Sequence, residues 1–179
     1  MKLRFLPLAG FLLSSCLALS SVARKTQSGT ESVHKWVQGF YDWYVPAAIK
    51  DNSDPGSYIA LKKRGSDFSA ALVNGLKEDL AASIKSKDEV VGLDFDPFLD
   101  SQDPCDHYKV EKISEKGGMY SVEAYGIREG KEETTASVIA EVAKVNGKFQ
   151  FKNFVYPEAK SDLLSVLKQL KADRDKYGH

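Results

Sequence analysis

The dipeptide Asn146-Gly147 constrains this chain more than any other pair of residues. Lying between two runs that alternate apolar and polar residues, it is the signature of a two-residue hairpin turn, which fixes the pairing of both strands. With that turn Val145 faces Lys148, Val142 faces Phe151 and Val138 faces Val155. A preceding loop centred on Lys131 sets Val122 opposite Ala140 and Ala124 opposite Val138. Both registers place Tyr120, Val122, Ala124, Val138, Ala140, Val142, Phe149, Phe151 and Val155 on one face, with Ser121, Glu123, Ser137 and Glu141 on the other. A slip of one residue would exchange the faces, so the pattern is specific. Phe154 and Tyr156 fall on the polar side unless a bulge intervenes near Asn153, which predicts a bulge or a cover there. Four strands are expected, over about 108–114, 119–127, 134–145 and 148–156, with Gly117-Gly118 marking the first turn.

Helices flank this meander. Val33, Trp36, Val37, Phe40, Trp43 and Tyr44 share one arc of a helical wheel, with Lys35 and Asp42 opposite. That helix is expected to begin at Glu31–Ser32 and to end near Pro46 or in the Asp51–Gly56 turn cluster. A second runs from Ser66 or Asp67 to about Lys87, carrying Phe68, Leu72, Leu76, Leu80 and Ile84 at four-residue spacing, with Gly75 as a point of close packing. Val90–His107 is rich in Asp and Pro without helical period and reads as an extended loop. Ser161 is the expected cap of a last helix striped by Leu163, Val166, Leu167 and Leu170.

Ahead of these elements stands an export signal: Lys2 and Arg4, the apolar run Leu6–Leu13, then small residues. Two cuts fit it. Leu13-Ser14-Ser15-Cys16 has the form of a lipobox, making 1–15 the signal and Cys16 the lipidated first residue. Ser21-Val22-Ala23 suits an ordinary signal peptidase, making 1–23 the signal. The apolar run is shorter than the roughly 20 residues a membrane span needs. Residues 24–30 are expected as a polar tether and 31–179 as one α+β domain. Lys2 and Arg4 are the leader's charges, so the remainder carries a net charge of about −2, which gives no electrostatic reason for a nucleic-acid partner. With Cys16 lipidated or removed, Cys105 has no second cysteine to pair with.

Chemical motifs are sparse. Asp94, Asp96, Asp100, Asp103, Asp106 and His107 form an acidic run, but Phe98, Leu99 and Cys105 occupy the positions where a helix-loop-helix calcium loop needs a ligand, a glycine and a glutamate. Turn formation explains these aspartates, and no metal site or cofactor is expected. Glu123, Glu141 and Asp42 fall on polar faces and are expected to be solvated rather than catalytic. No His-Glu-x-x-His pattern, Gly-x-Ser-x-Gly elbow or phosphate loop is present. The aromatic block Trp36, Phe40, Tyr41, Trp43, Tyr44 is expected to pack the first helix on the sheet. Trp36, Tyr41, Trp43 and Tyr120 are the candidates for a ligand pocket or partner surface.

Phe40-Tyr41-Asp42-Trp43-Tyr44, Asp94-Phe95-Asp96-Pro97-Phe98 and the segment Gly147–Tyr156 resemble a bacterial exported family known as domain of unknown function 3828. Helices followed by an antiparallel meander are similar to the cystatin-like cone of nuclear transport factor two and ketosteroid isomerase. The resemblance implies an exported or lipid-anchored envelope protein, periplasmic or held at the membrane, and supplies no catalytic residues. The resulting expectation is an α+β fold with helices on a curved antiparallel meander and a non-catalytic role. That role is binding to an envelope protein partner as a complex component, inhibitor or immunity-like factor. The alternatives are a small-ligand binder using the cone, with Trp36, Tyr41 and Tyr120 lining it, and an isomerase- or dehydratase-type enzyme.

Overall fold

The computed structural model describes residues 16–50, 54–86 and 91–177, with side chains described from residue 28 onward. Residues 1–15 of the expected leader, residues 51–53 of the expected turn cluster, the segment 87–90 and the last two residues lie outside the described set, and so does the side chain of Cys16. Among the described residues four α-helices and six strands follow in chain order: α1 (Cys16–Ile49), α2 (Gly56–Arg64), α3 (Ala70–Lys85), β1 (His107–Lys116), β2 (Met119–Arg128), β3 (Lys131–Glu132), β4 (Val138–Val145), β5 (Lys148–Tyr156), β6 (Ser161–Asp162) and α4 (Leu163–Tyr177), with a short 3-10 turn at Gly65–Asp67 after α2. The strands form one open antiparallel sheet ordered β1-β2-β4-β5-β6, with β3 paired to β2. The fold class is α+β.

The pairing follows the Asn146-Gly147 turn and the loop centred on Lys131. Val145 lies opposite Lys148, Val142 opposite Phe151, Val122 opposite Ala140 and Ala124 opposite Val138. Beyond Phe151 the register departs from expectation. Lys152 is an extra residue, so Ile139, not Val138, faces Val155. The bulge turns Phe154 and Tyr156 into the core and leaves Val155 only half-buried. Asn153 holds this kink, its Oδ1 accepting from the amides of Phe154 (3.0 Å) and Leu164 (3.2 Å) while its Nδ2 donates to Asp162 (2.8 Å). A second bulge in β1, between Val110 and Ile113, returns Ile113 toward the core.

Other boundaries moved for identifiable reasons. Backbone 24–30, expected as a tether, is helical, and α1 passes through Pro46 to Ile49. A proline inside a helix forfeits one hydrogen bond. The preceding turn is held by Tyr44 and Val45, both buried, while Pro46 itself is exposed. The helix α2 was not expected; Ala60 is its buried residue. Helix α3 starts at Ala70, capped by Ser69 rather than Ser66 or Asp67, and Phe68 enters the core in extended conformation. A row at four-residue spacing rotates about 40° per step around a helix, so Leu72 and Leu76 are buried while Ile84 is 70% exposed. Ser161 belongs to β6, and Asp162 caps α4 instead, accepting from the Ser165 amide at 3.0 Å. The expected strand 134–145 begins only at Val138, because residues 134–136 depart from β2 between the amides of Glu133 and Ser137, which donate to the Gly126 (2.9 Å) and Ala124 (3.0 Å) carbonyls.

One core joins the helices to the inner face of the sheet. Phe40 and Tyr44 of α1 stack on each other, and Phe40 also packs against Phe68, Phe98 and Phe151, with Phe154 beyond. Val122, Ala124, Val138, Ala140 and Val142 are completely buried beneath these rings and the helices. The exposed edge of β1 is covered by side chains of α1. Gln38 accepts from the Val110 amide (2.8 Å) and donates to the Tyr108 carbonyl (3.0 Å), and His34 Nε2 lies 3.1 Å from the Val110 carbonyl. Between α3 and α4 the buried pair Arg174–Asp79 (2.7 Å) is completed by the Leu93 amide, which donates to Asp79 at 2.9 Å.

Candidate functional site

The segment Asp96–Leu99 runs through the interior as a loop, so its polar backbone needs partners that no strand provides. Tyrosine hydroxyls supply them. Tyr44 donates to Asp96 Oδ2 at 2.6 Å and Tyr156 to the Pro97 carbonyl at 2.9 Å. Longer contacts of 3.4 Å run from Tyr41 to the Phe98 carbonyl and from Tyr108 to the Leu99 carbonyl. Burial raises the phenol pKa of all four tyrosines, and each serves as a neutral donor. The carboxylate of Asp96 also accepts from the Phe98 amide at 2.9 Å. Burial pushes its pKa up to about 6, against the lowering effect of the Tyr44 hydroxyl and the backbone amides. Gly56, opening α2, sits over this pair: a Cβ there would meet the Tyr44 hydroxyl at 2.8 Å and Asp96 Oδ2 at 3.1 Å.

Following the clamped loop, the chain borders an open cleft of about 470 Å³ under the excursion of residues 134–136. On its lining, the Cys105 thiol donates to Glu133 Oε1 at 3.5 Å and the Ser137 hydroxyl donates to Glu133 Oε2. Ser137 Oγ in turn accepts from the Gly126 amide at 2.9 Å. Gly126 is needed here, since a Cβ would lie 2.7 Å from Cys105 Sγ. Burial and then the Glu133 charge push the Cys105 thiol up. Such a thiol is protonated at neutral pH and is a hydrogen-bond donor before it is a nucleophile. Among the described residues Ser137 has no imidazole partner, because His34 is engaged at β1 and His107 opens that strand on an exposed face.

The sequence candidates separate into three places. Tyr41 is in the core, stacked on Tyr108. Trp36 and Tyr120 meet around Phe149 and are half-buried, and the face of Gly29 lies over the Tyr120 hydroxyl. Trp43 packs beside Phe40 and Tyr44 on the far side, under the Arg64 guanidinium at 5.4 Å. They do not form one wall. Glu123 and Glu141 project from the outer face, where Glu123 accepts from Tyr125 and lies 3.7 Å from Lys112 Nζ. The loop aspartates are dispersed as well. Asp103 pairs with Arg128 (2.9 Å), Asp106 accepts from the Glu129 amide (3.0 Å) and Asp94 accepts from Gln102 (3.2 Å). Among the described residues, no three His, Cys, Asp or Glu side chains are grouped as a metal ion would require.

Sequence reasoning missed the Tyr44–Asp96 contact and the Arg174–Asp79 pair. A signal for the first was present: Pro97-Phe98-Leu99 is apolar within a loop, which implies a buried backbone, and Tyr108 and Tyr156 carry hydroxyls in strands that border the core. No family model, curated protein or solved structure matches this chain. Among the described residues no helix is long and apolar enough to cross a membrane.

Proposed function

We propose that this chain is a non-catalytic binding or accessory protein of a bacterial envelope that associates with another protein through its outer surface. In this reading the leader exports it, either as a soluble periplasmic protein or as a lipoprotein anchored at Cys16. The helices and sheet are taken as a cystatin-like cone of the exported family it resembles. The observation that carries the reading is the filled inner face: the rings of Phe40, Tyr44, Phe68, Phe98, Phe151 and Phe154 occupy the space where a ligand of such a cone would sit. Recognition is then left to the outside, where the half-exposed rings of Trp36, Trp43 and Tyr120 offer apolar contact. Affinity capture from solubilised envelopes of the native host tests this. A partner recovered in stoichiometric amount, and lost on Trp36→Ser or Trp43→Ser, is the expected result. Recovery of the bare chain under several extraction conditions contradicts it.

A second reading, an isomerase- or dehydratase-type enzyme, draws on Asp96 alone. A carboxyl with a pKa of about 6 beside a phenol suits proton transfer near neutrality. Both its oxygens are already engaged by Tyr44 and the Phe98 amide, which favours a structural use.

A further inference from the structure

The dipeptide Asn-Gly occurs twice, at Asn74-Gly75 and Asn146-Gly147, and the fold places the two in opposite conditions. Asn74 lies inside α3, where the Gly75 amide is committed to the helical hydrogen bond four residues back. The face of Gly75 is closed by α4, since a Cβ there would be 3.0 Å from Leu167 Cδ1. Asn146 and Gly147, at φ 49° and 80°, are the two central residues of a hairpin turn of the left-handed type. Both are exposed, strand pairing ends at Val145–Lys148, and nothing approaches within 4 Å of the face of Gly147.

We propose that Asn146 is a site of spontaneous backbone-assisted deamidation, and that the helix shields Asn74 from the same reaction. The Gly147 nitrogen gives up its proton to solvent base and attacks the side-chain carbonyl carbon of Asn146. A carbon–nitrogen bond forms, ammonia leaves, and a five-membered imide results. Water then adds at either imide carbonyl and breaks one carbon–nitrogen bond, leaving aspartate or isoaspartate. One water is consumed and one ammonia released, with no oxidant or reductant. Glycine suits the nucleophile's position because no side chain crowds its nitrogen.

Reaction requires rotation of the Asn146 backbone out of the turn. At the hairpin tip this costs only fraying of the end beyond Val145, whereas at Asn74 it breaks a helix held by the Arg174–Asp79 pair nearby. The product carries a new negative charge beside Lys148. In its isoaspartate form it inserts an extra backbone carbon, which the two-residue turn cannot accommodate without loosening the pairing next to Phe149 and Trp36.

The test is prolonged incubation of the folded full chain in mildly alkaline buffer, followed by peptide mass mapping and isoaspartate detection at both sites, with a parallel sample in urea. The expected result is accumulation at Asn146 at least about tenfold faster than at Asn74 in the folded chain, with the two rates converging in urea. Equal rates at the two sites in the folded chain overturn the proposal. So does an Asn146 that reacts in urea but stays intact when folded, because the turn would then be protective.

Discussion

Replacing Tyr44 by phenylalanine removes one oxygen and leaves the stacking on Phe40 and the edge contact with Phe98 in place. What is lost is the donor 2.6 Å from Asp96 Oδ2. A hydrogen bond to a charged group contributes about 1.5–3 kcal/mol, a neutral one about 1 kcal/mol. The pKa of about 6 caps the loss, since at neutral pH protonating Asp96 costs only about 1.4 kcal/mol. The variant should therefore be less stable by about 2 kcal/mol at neutral pH, and by about 1 kcal/mol near pH 5, where the carboxyl is already protonated. The sign follows from linkage. Burial raises the folded-state pKa of Asp96 above its ordinary 3.8, so the folded chain holds this proton more tightly than the unfolded one. Its contribution is fully present below about pH 3.8 and is lost as pH rises through about 6, a swing of about 3 kcal/mol. Urea denaturation of the wild type and Tyr44→Phe at both pH values measures the difference, and melting should shift by roughly 4–8 °C at neutral pH. A loss below about 0.5 kcal/mol at neutral pH, or one that does not shrink on acidification, would refute the reasoning.

Arg174→Met should cost about 3–5 kcal/mol by leaving Asp79 buried without its cation, and adding Asp79→Leu should recover much of that; chemical denaturation of the single and double variants checks it. Asn153→Ala removes the bonds that hold the β5 bulge to β6 and α4 and should cost about 2–3 kcal/mol, read as earlier urea unfolding. Cys105 should react with a thiol reagent at neutral pH more slowly than a free cysteine. Glu133→Gln should speed the reaction by removing the charge that suppresses the thiolate; timed mass spectrometry follows both.

The meander was legible because strand pairing is local and periodic. Asn146-Gly147 set one hairpin, and even the bulge was signalled by Phe154 and Tyr156 falling on the wrong face. Helix α2 left no comparable trace, since a helix burying chiefly Ala60 has almost no apolar stripe to read. The pairing of Asp79 with Arg174 joins residues far apart in sequence through the packing of α3 on α4, which periodicity cannot foresee. The candidate rings illustrate the same limit. Trp36, Tyr41 and Trp43 lie on one stretch of α1, yet the wheel does not say that Tyr41 points at Tyr108 while Trp43 lies under Arg64. Asp96 was grouped with its neighbours as a turn former. Only the Tyr44 hydroxyl distinguishes it, within a loop whose next three carbonyls accept from Tyr156, Tyr41 and Tyr108.

The most direct test asks whether a small apolar probe can enter beneath the helices. Methyl NMR spectra of the full chain can be recorded under increasing xenon pressure, since xenon enters dry apolar cavities. The methyls of Val122, Ala124, Ala140 and Val142 should keep their shifts, because side chains of the chain itself fill the space above them. Saturable shifts concentrated on those four residues would reveal an internal cavity and contradict recognition by the outer surface.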